Sequence, residues 1–415
     1  MNKKLLVLAL AGAFVAPAAM ADVTISGTIN AGPIWGSSSD ATATGTNNSI
    51  TTSATAKGWS TLGLTSTNSN INLNSTEDIG DGNKVVFNYS FDVSNTGSTV
   101  HDVGATNNLK SRNTFIGFEG GWGSLRMGIN EHIYERYMYM SDTMDGAAGI
   151  GGNLQMLGTA GFGNVFQVAN GSCGPSSGCQ GFYRRSGNSI WYDSPDISGF
   201  TFGIAAGLNA YQASNSGPKP TFLSMGGQFK PADLPFFLNI ALERHKDFFG
   251  LQGITGAVNL GAGGLNNANA TGSTDTALQF GGGFTFGDIN IYARFEQLKY
   301  KTDGLTGGQL TEYKRNATWL GLKYNLPTGY ATIQIGMAND GKCSISNGAA
   351  CDATKTGATM VTGGYAHNLS KQTQLLFYGS LTNNKELASY VNIGSPSAGP
   401  GADGKSIALL VKHSF

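Results

Sequence analysis

The stretch Ser406–Phe415, SIALLVKHSF, closes the chain on a strand-like segment with a phenylalanine carboxylate and no polar tail. Ile407, Leu409, Val411, His413 and Phe415 share one face of an extended chain, because successive side chains of a strand point to opposite sides. Chain ends are normally polar and frayed, so this segment is expected to be a paired last strand. The same alternation recurs upstream. In DINIYARFE, Ile289, Ile291, Ala293 and Phe295 alternate with Asn290, Tyr292, Arg294 and Glu296. In KVVFNYSFD, Val85, Phe87, Tyr89 and Phe91 alternate with Val86, Asn88, Ser90 and Asp92, and YATIQIGM repeats the pattern through Ile333, Ile335 and Met337. Period two with one apolar and one polar face means strands.

Two architectures use such strands. A soluble sandwich buries its apolar faces against each other, whereas a membrane barrel turns them to lipid and keeps the polar faces around water. Connection lengths separate the two. Short turn signals fall at 76–83, 120–123, 194–199, 231–235, 287–288, 326–329 and 368–371. Long polar segments lie at about 37–57, 95–110, 130–186, 208–220, 245–275, 300–315, 339–357 and 383–404. Seven short and eight long connections predict an all-β, antiparallel transmembrane barrel of sixteen strands. Its last strand must pair with the first, DVTISGTIN at Asp22–Asn30, because an unpaired edge is not tolerated in hydrocarbon.

Composition agrees. Sixty-one glycines, eleven prolines and only 13% charged residues disfavour helix, and after the N-terminus no long apolar run stands out as a membrane helix. At the N-terminus Lys3 and Lys4 precede an apolar or small run, Leu5–Val15, then Pro17 and Ala19-Met20-Ala21. That is the three-part pattern of a secretory signal peptide over 1–21, too short for the ~20 residues of a spanning helix. The expected mature chain, 22–415, loses two lysines and no acids from a balance of 26 basic and 26 acidic residues. A slightly acidic chain argues against nucleic acid as a partner.

The four cysteines form two close pairs, Cys173 with Cys179 and Cys343 with Cys351, in Gly/Ser/Asn-rich segments. Nearest-neighbour disulfides are the simplest of the three possible connectivities in an oxidising compartment. No C-x-x-C occurs and neither pair has a histidine close by, so zinc is not expected there. Glu131, His132 and Glu135 in EHIYE sit at helical spacing but are not expected to bind a metal, and no cofactor is implied. GDGNK lacks the spacing and the Ser/Thr of a phosphate-binding loop, and no Ser/His/Asp arrangement stands out, so an enzyme is not expected.

TEDIGDGNKVVF, SRNTFIGFEGGWGSLRMG, RRSGNSIWYDSPDISGF and the terminal LVKHSF resemble, in order and spacing, the hallmark segments of Gram-negative general-diffusion porins, especially the β-proteobacterial type. The resemblance runs from Asp22 to Phe415. It implies a homotrimer of sixteen-stranded barrels in the outer membrane, among lipid and lipopolysaccharide, passing small hydrophilic solutes. It further implies short periplasmic turns, long extracellular loops, a third loop folded into the lumen, and a terminal strand whose aromatic end, Phe415, is read by the barrel-assembly machinery.

Residues 130–186 form much the longest connection, and a structureless excursion of that length is uncommon in a compact domain. Folded inward, it carries Glu131, Glu135, Asp142 and Asp145. The wall can set Arg112, Arg126, Arg184 and Arg185 against them, a transverse field across a narrow aqueous gap. Asn70 and Ile129 stand where family members often carry arginine, whereas Arg112 and Arg185 match, so anion selectivity does not follow from the resemblance. The loop also holds Met138, Met140, Met156, Leu157, Phe162 and Phe166, which would narrow the lumen further. The alternative reading is a solute-specific channel for a sugar or an organic anion with a tighter constriction; a closed barrel serving as adhesin or enzyme is a third.

Overall fold

A computed structural model describes residues 22–41, 44–46, 49–51, 57–93, 109–144, 150–162, 181–208, 219–251, 271–392, 394–396 and 398–415. The expected leader 1–21, Asp145, Phe166 and the pair Cys173–Cys179 lie outside these residues.

Sixteen antiparallel strands close into one barrel: β1 Asp22–Ser38, β2 in two pieces Ser60–Thr65 and Asn70–Gly80, β3 Asn83–Val93, β4 Leu109–Gly120, β5 Gly123–Glu131, β6 Arg185–Asp193, β7 Phe200–Gly207 and β8 Thr221–Phe229. The circuit continues through β9 Phe236–Lys246, β10 Thr274–Phe286, β11 Ile289–Lys301, β12 Leu310–Leu326, β13 Gly329–Ala338, β14 Ala358–Asn368, β15 Thr373–Asn384 and β16 Gly404–Ser414. Each strand pairs with its sequence neighbours, and β16 returns to β1 with Thr28 opposite Ser414 and Ser38 opposite Gly404. The terminal residue extends that ladder, because Gly27 and Phe415 exchange both backbone hydrogen bonds, at 3.0 and 3.1 Å. No edge is left to open in the sheet, the condition hydrocarbon imposes.

The alternation read from the sequence is the inside–outside pattern of the wall. Ile407, Leu409 and Val411 are 48–49% exposed while Ser406, Ala408 and Leu410 are buried. On β9, Leu238, Ile240 and Leu242 face out and Asn239, Ala241, Glu243 and His245 face in. No soluble protein would expose such a belt. No described helix is long and apolar enough to cross a membrane; the strands do it.

Three local departures from the expected pattern have physical causes. TEDIG, expected as turn, is strand: Thr76, Glu77 and Asp78 pair with Val86, Val85 and Lys84. The turn proper is Asp81-Gly82 alone, both at positive φ (53° and 73°), the Asp-Gly chemistry of a two-residue hairpin. β2 breaks at 66–69, where Ser69 replaces the ladder with its side chain: the Asn30 N–H donates to Ser69 Oγ at 2.8 Å and Ser69 Oγ donates to the Asn30 carbonyl at 3.0 Å. In the seventh long loop Lys342–Ile345 forms an extra strand on Leu310–Lys314 of β12, and Cys343 is disulfide-bonded to Cys351.

The buried apolar core lies inside the barrel, between the wall and the third loop. Tyr134, Met138, Met156, Leu157 and Phe182 of the loop pack with Leu298, Tyr300, Tyr313 and Trp319 of β11 and β12.

Candidate functional site

After Glu131 the chain leaves β5 through His132 into helix α1, Ile133–Tyr139, which buries Ile133, Tyr134, Glu135 and Met138. Ile133 packs on Trp191, Ala205 and Phe222 of β6 to β8. Tyr134 docks the helix: its N–H donates to Ser224 Oγ at 3.0 Å, its carbonyl accepts from Gln279 Nε2 at 2.5 Å, and its hydroxyl donates to Glu296 Oε2 at 2.7 Å. Beyond the helix, Arg294 Nε donates to Ser141 Oγ at 2.9 Å and the Thr143 N–H to Gln334 Oε1 at 3.0 Å.

The middle of the loop is held the same way. The Gly158 N–H donates to Glu296 Oε2 at 2.6 Å, Arg315 donates to the carbonyls of Met156 and Thr159, and Arg315 pairs with Glu296 at 3.0 Å. Glu296 and Arg315 are fully buried. Removing charges from water is costly unless they are paired and hydrogen-bonded; here the loop backbone and the opposite charge supply both. Loop three is thus clamped to β8–β14 by the polar faces of those strands.

On the other side of the lumen, β2–β6 carry a second set of charged side chains that are half-buried among the described residues. Arg112 (β4) donates to Asp92 Oδ1 at 2.8 Å and Asn68 Oδ1 at 3.0 Å. Arg126 (β5) pairs with Glu119 at 3.0 Å and Asp193 at 3.5 Å, and Arg136 of α1 meets the same Asp193 at 2.8 Å. Arg185 (β6) pairs with Glu131, approaches Glu135 to 3.8 Å and donates to Asn113 Oδ1 at 3.0 Å. Beside them Asn70, Asn72, Asn74, Asn88 and Ser90 form a neutral ladder, with Asn72 donating to Asn70 at 2.9 Å and Ser90 to Asn72 at 2.5 Å. Burial pushes the Glu135 carboxyl up to about 7, against the pull of Arg185.

Arg112, Arg126, Arg185 and Glu131 therefore lie half-buried along one wall, and the buried Glu135 of α1 is set against Arg185. Arg184 does not join them: it is buried, its guanidinium 4.7 Å from the Phe248 ring centre. The Asp142 carboxylate serves the loop, accepting from the N–H groups of Met144 (2.9 Å) and Asn153 (3.2 Å) and from Gln334 Nε2 (3.1 Å). The sequence reading missed Asp92, Glu119, Arg136 and Asp193, although Asp92 already stood on the polar face of KVVFNYSFD. It also missed the meeting of His132 with Glu243 and His245 of β9, in which Glu243 Oε1 lies 2.8 Å from His132 Nδ1 and 2.6 Å from His245 Nε2.

The chain is similar in fold to solved porins. An anion-selective porin from Comamonas acidovorans superposes with TM-score 0.67 at 19% identity, covering 95% of this chain and all of that one (100%). OmpF of Salmonella typhi, in complex with daunomycin, gives 0.59 at 15% identity over 95% and 97% of the two chains. The trimer form of OmpT from Vibrio cholerae gives 0.57 at 13% over 95% and 99%. No curated protein matches the sequence. The sequence profile of Gram-negative porins matches residues 7–387. With a closed sixteen-stranded barrel, a lipid-facing apolar belt and a charged lumen under an inward loop, the chain belongs to the Gram-negative porin family and is an outer-membrane channel for passive diffusion.

Proposed function

We propose that loop three and the arginine row Arg112, Arg126 and Arg185, with Arg136, form the constriction of a channel for small hydrophilic solutes and ions. One observation carries this reading: the loop is fixed to β8–β14 by buried polar side chains, so what remains of the lumen runs past the arginine–carboxylate pairs of β3–β6. Lumenal charges tune selectivity without a lipid-facing penalty. Because each arginine meets a carboxylate and Asn70 adds no charge, ion preference near neutral pH is weak; the anion selectivity of the Comamonas porin is not carried over whole. The reading includes a mature chain starting at Asp22 after removal of 1–21, homotrimer assembly, and recognition of Phe415 by the assembly machinery. The trimeric form of the Vibrio OmpT supports the homotrimer.

Planar-bilayer recording in a salt gradient tests the constriction. Arg112→Ser or Arg126→Ser should move the reversal potential toward cations at low salt, and the shift should shrink near 1 M, where the Debye length is about 3 Å. Wild-type reversal potential and conductance in both variants would show that the current does not pass these groups.

A further inference from the structure

His132, Glu243 and His245 bring their ligand atoms within 4.8 Å of one another, and all three side chains are fully buried. His132 opens loop three, whereas the two partners project inward from β9. Both imidazoles turn a nitrogen onto the same carboxylate oxygen, while Glu243 Oε2 and His245 Nδ1 have no hydrogen-bond partner among the described residues. The second nitrogen of His132 lies 2.8 Å from Ser186 Oγ, the outer-shell contact that fixes the ring of a metal-bound histidine. Phe222 stacks on His132 at 3.9 Å and Phe182 on His245 at 5.0 Å, closing the cluster to bulk water.

We propose that His132, Glu243 and His245 form a site for a first-row divalent cation, zinc foremost. Two imidazole nitrogens and one carboxylate suit a borderline ion, whereas calcium and magnesium favour all-oxygen shells. Bonds of about 2.0–2.1 Å place tetrahedral ligands roughly 3.3 Å apart, so the cation requires Glu243 Oε1, now 2.8 and 2.6 Å from the two nitrogens, to withdraw and the rings to adjust within a set already confined to 4.8 Å. Its charge would also answer the unpartnered carboxylate oxygen. One carboxylate is a small counter-charge, and the Arg184 guanidinium nearby adds a positive one, so affinity in the micromolar range is expected. The bound ion would staple the first residue of loop three to the barrel wall.

The test uses the detergent-extracted native protein, stripped with EDTA and titrated with Zn²⁺ or Co²⁺. About one zinc per chain should bind with micromolar affinity in equilibrium dialysis, and Co²⁺ should give the intense visible bands of a four-coordinate site, with one water in the position the three side chains leave. Glu243→Gln and His245→Gln should abolish both signals, and Ser186→Ala should weaken zinc binding by about 10- to 100-fold. Where a variant fails to assemble, the cobalt spectrum of the wild type decides alone. Absence of stoichiometric zinc and of four-coordinate cobalt bands in the wild type would overturn the proposal. So would binding unchanged in a folded His132→Gln/His245→Gln protein.

Discussion

Glu135 is a group of the proposed constriction whose charge changes near neutral pH. Its carboxyl titrates near 7 because burial disfavours the charged form. It faces Arg185 from β6, Glu131 from β5, Arg112 from β4 and Tyr139 from its own helix. Lowering the pH from about 8.5 to 5.5 removes its negative charge beside Arg185, so anion preference should rise with a midpoint near 7. Glu135→Gln should hold the acid-side reversal potential across that range, and a variant that kept the wild-type pH dependence would assign it to another group. The linked stability has the opposite sense from a salt-bridged acid. The folded-state value lies above the ordinary one, so a penalty is absent below the usual carboxylate range, grows as pH rises and is complete above about 7. Glu296 is the structural counterpart. Glu296→Gln leaves Arg315 a buried cation without counter-charge, a change on the order of 3–5 kcal/mol. Loop three should loosen, with noisier single-channel current and faster proteolysis of the loop in a barrel that still assembles; a quiet, protease-resistant variant would mean that other contacts suffice.

At the scale of elements, strands were legible wherever one face meets lipid and the other water, as in β3, β11, β13 and β16. They were less legible where the pattern carries no such contrast. The charged run Thr76–Asp78 read as turn, and the break in β2 depends on a serine side chain standing in for a backbone partner. The site divided along the same line. Arg126 was legible because period two aims it inward, Arg112 and Arg185 because they match the family pattern, and Glu131 and Glu135 because they open the long loop, whereas Asp92, Glu119 and Asp193 reach the arginines from other strands and were missed. His132 and Glu243 are 111 residues apart, and no local pattern announces their contact. The disulfide Cys343–Cys351 belongs to this scale. It spans a sequence separation of 8 within one loop, so its chain-entropy contribution is on the order of 2–3 kcal/mol. Replacing both cysteines with serine should leave barrel assembly and conductance unchanged and raise proteolysis only between β13 and β14; failure to assemble would give the bond a role in folding the barrel itself.

For the whole molecule the two faces of the wall obey different solvents, and paired substitutions on β16 expose this. Leu409→Arg puts a charge against lipid and should cost about 2–4 kcal/mol near the midplane. The adjacent inward residue offers the control, because Ala408→Ser adds a small hydroxyl on the lumen side. The first variant should lower the temperature at which the folded barrel converts to the unfolded form on gels, and the second should barely move it; equal shifts would contradict the assigned faces. The lumen itself is divided. Strands β8–β14 spend their inward polar side chains on loop three, β6 holds the start of the loop through Ser186, Arg185 and Asp193, and β2–β5 carry the polar side chains assigned to the proposed constriction. Tolerance to substitution should therefore vary around the circumference like a compass bearing. Across one arc, exchanges would have to be matched by exchanges in loop three, so that wall and loop change as a single unit of inheritance. Across the other, residues are free to drift singly, and adaptation to a new solute has room to begin there.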